Sequence, residues 1–153
     1  MAHLRQQIRA AVAAALTGLS TSGPRVYASR VFVMHDSEDP TKSNLPGLRI
    51  YTRREESANI TAYAPALKER KLELVIECCA KSNATVDDTL DTMASEVEVA
   101  MYTNQTLGGL ARYAQLQSTE IDVSFEGEKP LGVATLTYEL LYLAAENAPE
   151  TAA

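Results

Sequence analysis

Residues 68–80, KERKLELVIECCA, constrain the fold more than any other stretch of the sequence. Leu72, Leu74, Ile76 and Cys78 alternate with Lys71, Glu73 and Glu77. A period of two sends successive side chains to opposite sides, so this pattern predicts a strand with one apolar and one polar face. Such a strand belongs in an antiparallel sheet covered on one side only. Residues 133–144 repeat the pattern, with Leu136, Tyr138, Leu140 and Tyr142 set against Thr135, Thr137, Glu139 and Leu141. Residues 115–125 place Ile121, Val123 and Phe125 on one face, and the turn-rich EGEKP at 126–130 predicts a hairpin joining the two runs. Two further strands are expected at 25–34 (RVYASRVFVM), where apolar residues fall on both faces toward the end, and at 48–52 (LRIYT). Residues 53–65 read as an extended edge or a connecting loop.

Two stretches carry helical spacing instead. Leu4, Ile8, Val12, Ala15 and Leu19 form one stripe over 3–18, with Gly18 as the stop. Val86, Leu90, Met93, Val97 and either Ala100 or Met101 form another over 85–102. Thr85 is the expected N-cap, with Asp88 completing a capping-box-like pair and Asp87 beside it favouring the positive helix end. Gly108-Gly109 breaks the chain after this helix. The order of elements predicts an α+β fold, a mostly antiparallel sheet with two main helices packed on one face. One domain is expected over 1–144, followed by an acidic, disordered tail over 145–153.

A chain of 153 residues with 46% hydrophobic and 22% charged residues can bury one core. No apolar run approaches the ~20 residues that span a bilayer. The first residues do not read as a secretory signal, because Arg5, Gln6, Gln7 and Arg9 interrupt the apolar ones, so an intracellular protein is expected. The net charge of -6 argues against a DNA-gripping surface, which needs clustered lysine and arginine. Cys78 and Cys79 are adjacent and read as free thiols of a reducing compartment. The acidic cluster His35, Asp36, Ser37, Glu38, Asp39 lacks the spacing of a calcium loop and reads as solvated. With two histidines, no nucleophile elbow and no phosphate-cradling loop, the sequence predicts no enzyme, no metal and no cofactor.

What remains unexplained by a core is polar. The stretch 35–46 (HDSEDPTKSNLP) is the longest expected loop, and Arg53, Arg54, Lys68, Arg70 and Lys71 interleave with Glu55, Glu56, Glu69 and Glu73. Mixed charge usually marks a solvated face; it also suits a polar subunit interface in which alternating signs set the register. Asp36, Glu38, Asp39, Lys42, Arg53, Arg54, Glu55 and Glu56 are therefore the candidate interface residues. Residues 35–46 and 53–65 are expected to reach a neighbour.

Four stretches carry a family resemblance: LRQQIRAAVAAALTGL with RVYASRV after it, LPGLRIYT, RKLELVIECCAKSNATVDDTLDTMASEVEVAM, and LQSTEIDVSFEGEKPLGVATLTYELLY. Together they resemble the phage tail terminator proteins, the minor tail protein U type of long-tailed phages and prophages. The resemblance implies a homo-oligomer, a hexameric ring that caps the tail tube, halts its polymerisation and presents the surface for head joining. It implies the tail tube protein and the head-tail connector proteins as partners, no membrane, and DNA passing through the channel without specific binding. The place implied is the head-proximal end of the virion tail, after assembly in the host cytoplasm. The family has no catalytic residues to carry over, and the loop 35–46 is longer and more acidic than its pattern. The alternatives are a head-tail neck adaptor or a tail tube subunit, and, in a different class, a small ligand-binding module. An acidic ring subunit is physically coherent, since like charge limits phosphate contact and a closed ring joins unlike patches of each copy.

Overall fold

The strand expected from KERKLELVIECCA is the centre of the sheet in the computed structural model, which describes residues 1–32, 34, 43–81, 85–124 and 131–153. It runs over Leu67–Lys81 as β3, flanked by β2 (Gly47–Asn59) and β5 (Leu131–Ala145), antiparallel to both. A two-residue β1 (Val26–Tyr27) adds to β2 in parallel, and β4 (Tyr113–Ser124) adds to β5, giving five strands in the order β1-β2-β3-β5-β4. The chain is α+β, as expected. Two hairpins, β2–β3 and β4–β5, are joined through the helix α2 (Val86–Thr103), and the second returns its last strand to the middle.

Alternation dictates what is buried. Leu72, Leu74, Ile76 and Cys78 of β3 and Leu136, Tyr138, Leu140 and Tyr142 of β5 point to one side and are all buried. There they meet α1 (Leu4–Leu16), through Leu4, Ile8, Val12 and Leu16, and α2, through Val86, Leu90, Met93, Val97 and Met101. α1 lies against β1 and β2, and α2 against β3 and β5. Gly132 permits the latter approach: a Cβ there would sit 2.6 Å from Val86 Cγ2 and 2.7 Å from Leu90 Cδ1.

Several local expectations are corrected. The first stripe continues through Leu16, one turn beyond Val12, while Ala15 is only half-buried and Leu19 lies past the helix. Among the described residues, the strand expected over 25–34 is confined to Val26–Tyr27, paired with Leu48 and Arg49 of β2. The chain beyond it turns away instead, stacking Phe32 on Tyr27 at 3.9 Å and accepting from Arg49 Nη1 at the Phe32 carbonyl. The ambiguous stretch 53–65 divides: β2 continues to Asn59, and the rest forms the exposed tip between β2 and β3. Thr85 holds the N-cap position without a side-chain capping bond, so the capping box is not made; its carbonyl receives the Thr89 N–H at 3.0 Å. Leu107, Gly108 and Gly109 all take positive φ in the turn after α2, where glycine is the residue that tolerates it.

The tail, expected to be disordered, packs against the body. Glu146 N–H donates to the Ala66 carbonyl and its carboxylate accepts from Ala66 N–H, both at 2.8 Å. The Pro149 carbonyl accepts from Leu4 N–H, and Ala153 N–H donates to the Leu143 carbonyl.

Candidate functional site

The side of the sheet away from the helices is laid out by two irregularities. Arg53 in β2 and Gln117 in β4 are unpaired extra residues at which the register shifts. Each reverses which parity faces the helices. Before Arg53, Leu48 and Ile50 face inward; after it, Glu55 does. Before Gln117, Ala114 and Leu116 face inward; after it, Ile121 and Val123 do.

The candidate interface residues therefore part company. Glu55 lies under α1 with its side chain 9% exposed. It accepts from the Tyr142 hydroxyl, from Arg5 Nη1 at 2.9 Å and from Arg70 Nη1 at 3.4 Å. Burial, then the bond to Glu55, pushes the Tyr142 phenol above its ordinary pKa. Glu55 is thus an internal tie between α1, β2, β3 and β5, not a free surface charge. Arg53, Arg54 and Glu56 stay on the far face and are exposed. Arg53 pairs with Glu73 and Arg54 with Glu56. Asp36, Glu38, Asp39 and Lys42 lie outside the described residues, as do Phe125 and the 126–130 turn.

The far face carries no helix among the described residues, and it bears both signs of charge, with Glu120 and Asp122 adding acidic groups along β4. Besides those pairs, Arg49 binds Glu77, and the Tyr113 hydroxyl donates to Glu139 at 2.8 Å. Val75 and Cys79 are buried here between the longer side chains of the flanking strands. A shallow cleft of about 300 Å³ crosses the face between Arg54, Lys71, Glu73, Gln117 and Glu139. Arg30 closes one margin by lying 4.8 Å over the Tyr51 ring and donating to the Thr52 carbonyl. This mixture of signs offers register to a protein surface and no concentrated charge for a phosphate.

The other groups with potential chemistry stand apart from it. Cys78 and Cys79 are both buried, on opposite faces of β3, and burial pushes each thiol up to about 12. Thiolate chemistry needs the reverse shift. His3 accepts from Arg5 N–H through Nδ1 at 3.1 Å, capping α1, and burial, then Arg5, lowers its pKa. Among the described residues, no group of three His, Cys, Asp or Glu could hold a metal ion, and no helix is long and apolar enough to cross a membrane.

The sheet also has two unlike free margins. Among the described residues no strand pairs with the outer side of β4, nor with β2 beyond Arg49. The sequence marked β2 as a possible edge but gave no sign that β4 would be the other, since strand order is not written in alternation. No family model matches the chain, and no curated protein matches it.

Proposed function

We propose that this chain is the subunit of a tail-terminator ring, a hexamer that caps a phage tail tube, ends its polymerisation and offers the surface to which the head joins. One observation carries the reading: a single sheet whose two free margins lie on opposite sides and are formed by different strands, β2 and β4. Unlike patches on opposite sides of one chain favour head-to-tail contact, which closes into a ring when the rotation between copies allows. The four stretches that resemble the tail terminator proteins support the same reading. So does the net charge of -6, which limits contact with DNA passing through a channel. In this reading the tail tube protein and the connector proteins meet the ring through loops and the paired charges of the far face, Arg53, Arg54 and Glu56 among them.

The test is the native mass of the purified chain by light scattering, with negative-stain images of the particles. Closed rings of hexamer mass are the expected result. A monomer at all concentrations would refute the ring, and open tubes would make the chain a tube subunit. Deleting residues 37–43 then tests the acidic loop: tails of uncontrolled length from an intact hexamer are expected, and normal tails would remove the loop from the proposal.

A further inference from the structure

The turn joining β2 to β3 presents apolar side chains to solvent on a firmly built support. Residues 59–65 are exposed throughout, with Ile60 at 50% and Tyr63 at 84%. Yet the turn is held at every level. Ile60 N–H donates to the Leu67 carbonyl at 2.7 Å, and Leu67 N–H to Thr61 Oγ1 at 2.8 Å. Lys68 Nζ donates to Asn59 Oδ1 at 2.9 Å, and Glu146 clamps Ala66 from below. An ordered tip bearing an exposed aromatic ring is preorganised to bind, because the entropy of fixing it is already spent on folding. Rigid aromatic anchors of this kind dominate contact energies.

A receptor of matching character lies at the opposite margin. α2 covers β3 and β5 but only part of β4, and Ile121 is 48% exposed. Beside it a groove of about 260 Å³ is lined by Leu116, Tyr138, Tyr102, Gln105 and Glu98. Tyr102 is 77% exposed on its rim. Tyr138 is only 3% exposed. Tyr113 and Tyr142 donate to carboxylates, whereas the Tyr138 hydroxyl donates to none of the described residues. That hydroxyl is not sealed from solvent, so it stands open in the groove as a donor for an incoming carbonyl.

From these features we infer that the 59–65 tip of one copy docks in the Tyr102–Leu116–Tyr138 groove of the next. The tip joins β2 to β3 and the groove flanks β4, with β5 lying between β3 and β4, so the two are separated within one chain. Charge favours the pairing: Lys68 stands at the base of the tip on the helix side, and Glu98, with Asp91 two turns earlier on α2, flanks the groove. The tip itself carries no charge over 59–65. Tyr63 and Ile60 meet the apolar floor, a tip carbonyl accepts from Tyr138, and Lys68 meets Glu98. The inference rests on the ring reading for the partner being a second copy.

The test uses the full chain with Ile60→Ser and Tyr63→Ser, exposed positions whose loss leaves the fold intact. Light scattering across a dilution series should show the dissociation midpoint raised about tenfold or more. Lys68→Glu alone should weaken the oligomer, and Lys68→Glu with Glu98→Lys should restore it. Tyr63→Cys combined with Tyr102→Cys should yield covalent oligomers on a non-reducing gel, the native thiols being buried. An oligomer indifferent to both serine variants and giving no cross-link would overturn this docking while leaving the ring standing. An intact oligomer that no longer joins tails would assign the tip to a different protein, again overturning it. A wild-type chain that is always monomeric would overturn both readings.

Discussion

Replacing Glu55 by alanine is expected to destabilise the protein by about 3 kcal/mol, a figure that follows from what the carboxylate leaves behind. Its side chain is 9% exposed, and Arg70 beside it is 11% exposed. Removing one partner of a buried ion pair typically costs about 3–5 kcal/mol, and an orphaned buried hydroxyl such as that of Tyr142 about 1–3 kcal/mol. Two features reduce the sum: Arg5 is 42% exposed and rehydrates, and the Arg70 contact is long at 3.4 Å. The expected loss lowers Tm by about 6–12 °C in a domain of this size. Glu56→Ala is the matched control. Its bond to Arg54 is shorter, 2.7 Å, but the two side chains are 62% and 70% exposed. Its loss should change stability by no more than about 0.5 kcal/mol. Urea unfolding of both variants, with m-values compared, decides the matter. A Glu55→Ala loss below about 1 kcal/mol, or one equal to that of Glu56→Ala, would refute the internal tie. Glu55→Leu combined with Arg70→Met should recover part of the loss, since no buried charge is then left stranded, Arg5 being half-exposed and only the Tyr142 hydroxyl losing its acceptor.

Gly132→Ala should cost about 1–3 kcal/mol, because its new methyl meets Val86 and Leu90. Leu90→Ala alone should cost about 2–5 kcal/mol, and the two changes should cost less together than their sum; full additivity in chemical denaturation would disprove the contact. The lowered pKa of His3 means that the unfolded chain takes up its proton first as pH falls below 6.5. The stabilisation is therefore present above that pH and is lost as pH falls toward the folded value. Protonation also removes the Nδ1 acceptor that caps α1. Melts from pH 7 to pH 5 should fall more steeply for wild type than for His3→Asn, which keeps a capping oxygen, and parallel curves would count against the role. Cys78 and Cys79 should stay unmodified by a thiol reagent at pH 8 in the native state and react at once in urea, as thiols pushed up to about 12 require; prompt native labelling would contradict their burial.

How far the sequence could be read depended on how far each signal was local. Alternation placed β3 and β5 within a residue or two and assigned Leu72, Leu74, Leu136 and Leu140 to the core, because a strand's two faces are written in its own order. The helical stripes located α1 and α2 for the same reason. The run 25–34 fell short because local propensity does not say where a chain leaves the sheet; here the Phe32–Tyr27 stack and the Arg49 bond to the Phe32 carbonyl accompany the departure from β2. The tail was misjudged because composition marks what a segment cannot bury; here residues 145–153 are held chiefly through backbone groups and Glu146. At the candidate surface, mixed charge pointed to the right stretch of β2 but could not separate Glu55 from its neighbours. Only the register shift at Arg53 does that, and nothing in RREES announces it.

The two bulges together decide what the molecule offers to a partner. Had β2 kept its alternation past Thr52, Arg54 and Glu56 would face α1 and Glu55 would face away. Had β4 kept its alternation past Leu116, Glu120 and Asp122 would lie on the helix side and Ile121 on the far face. One extra residue in each strand prevents both outcomes. The far face is left with the arginine–glutamate pairs and with Glu120 and Asp122, while exposed apolar groups stand elsewhere: Tyr63 and Ile60 at the β2–β3 tip, and Ile121 on the helix side of β4. Apolar groups exposed at two separate places are the feature on which the proposed copy-to-copy association rests. The proposed ring would use those groups between copies and keep the far face for its other partners.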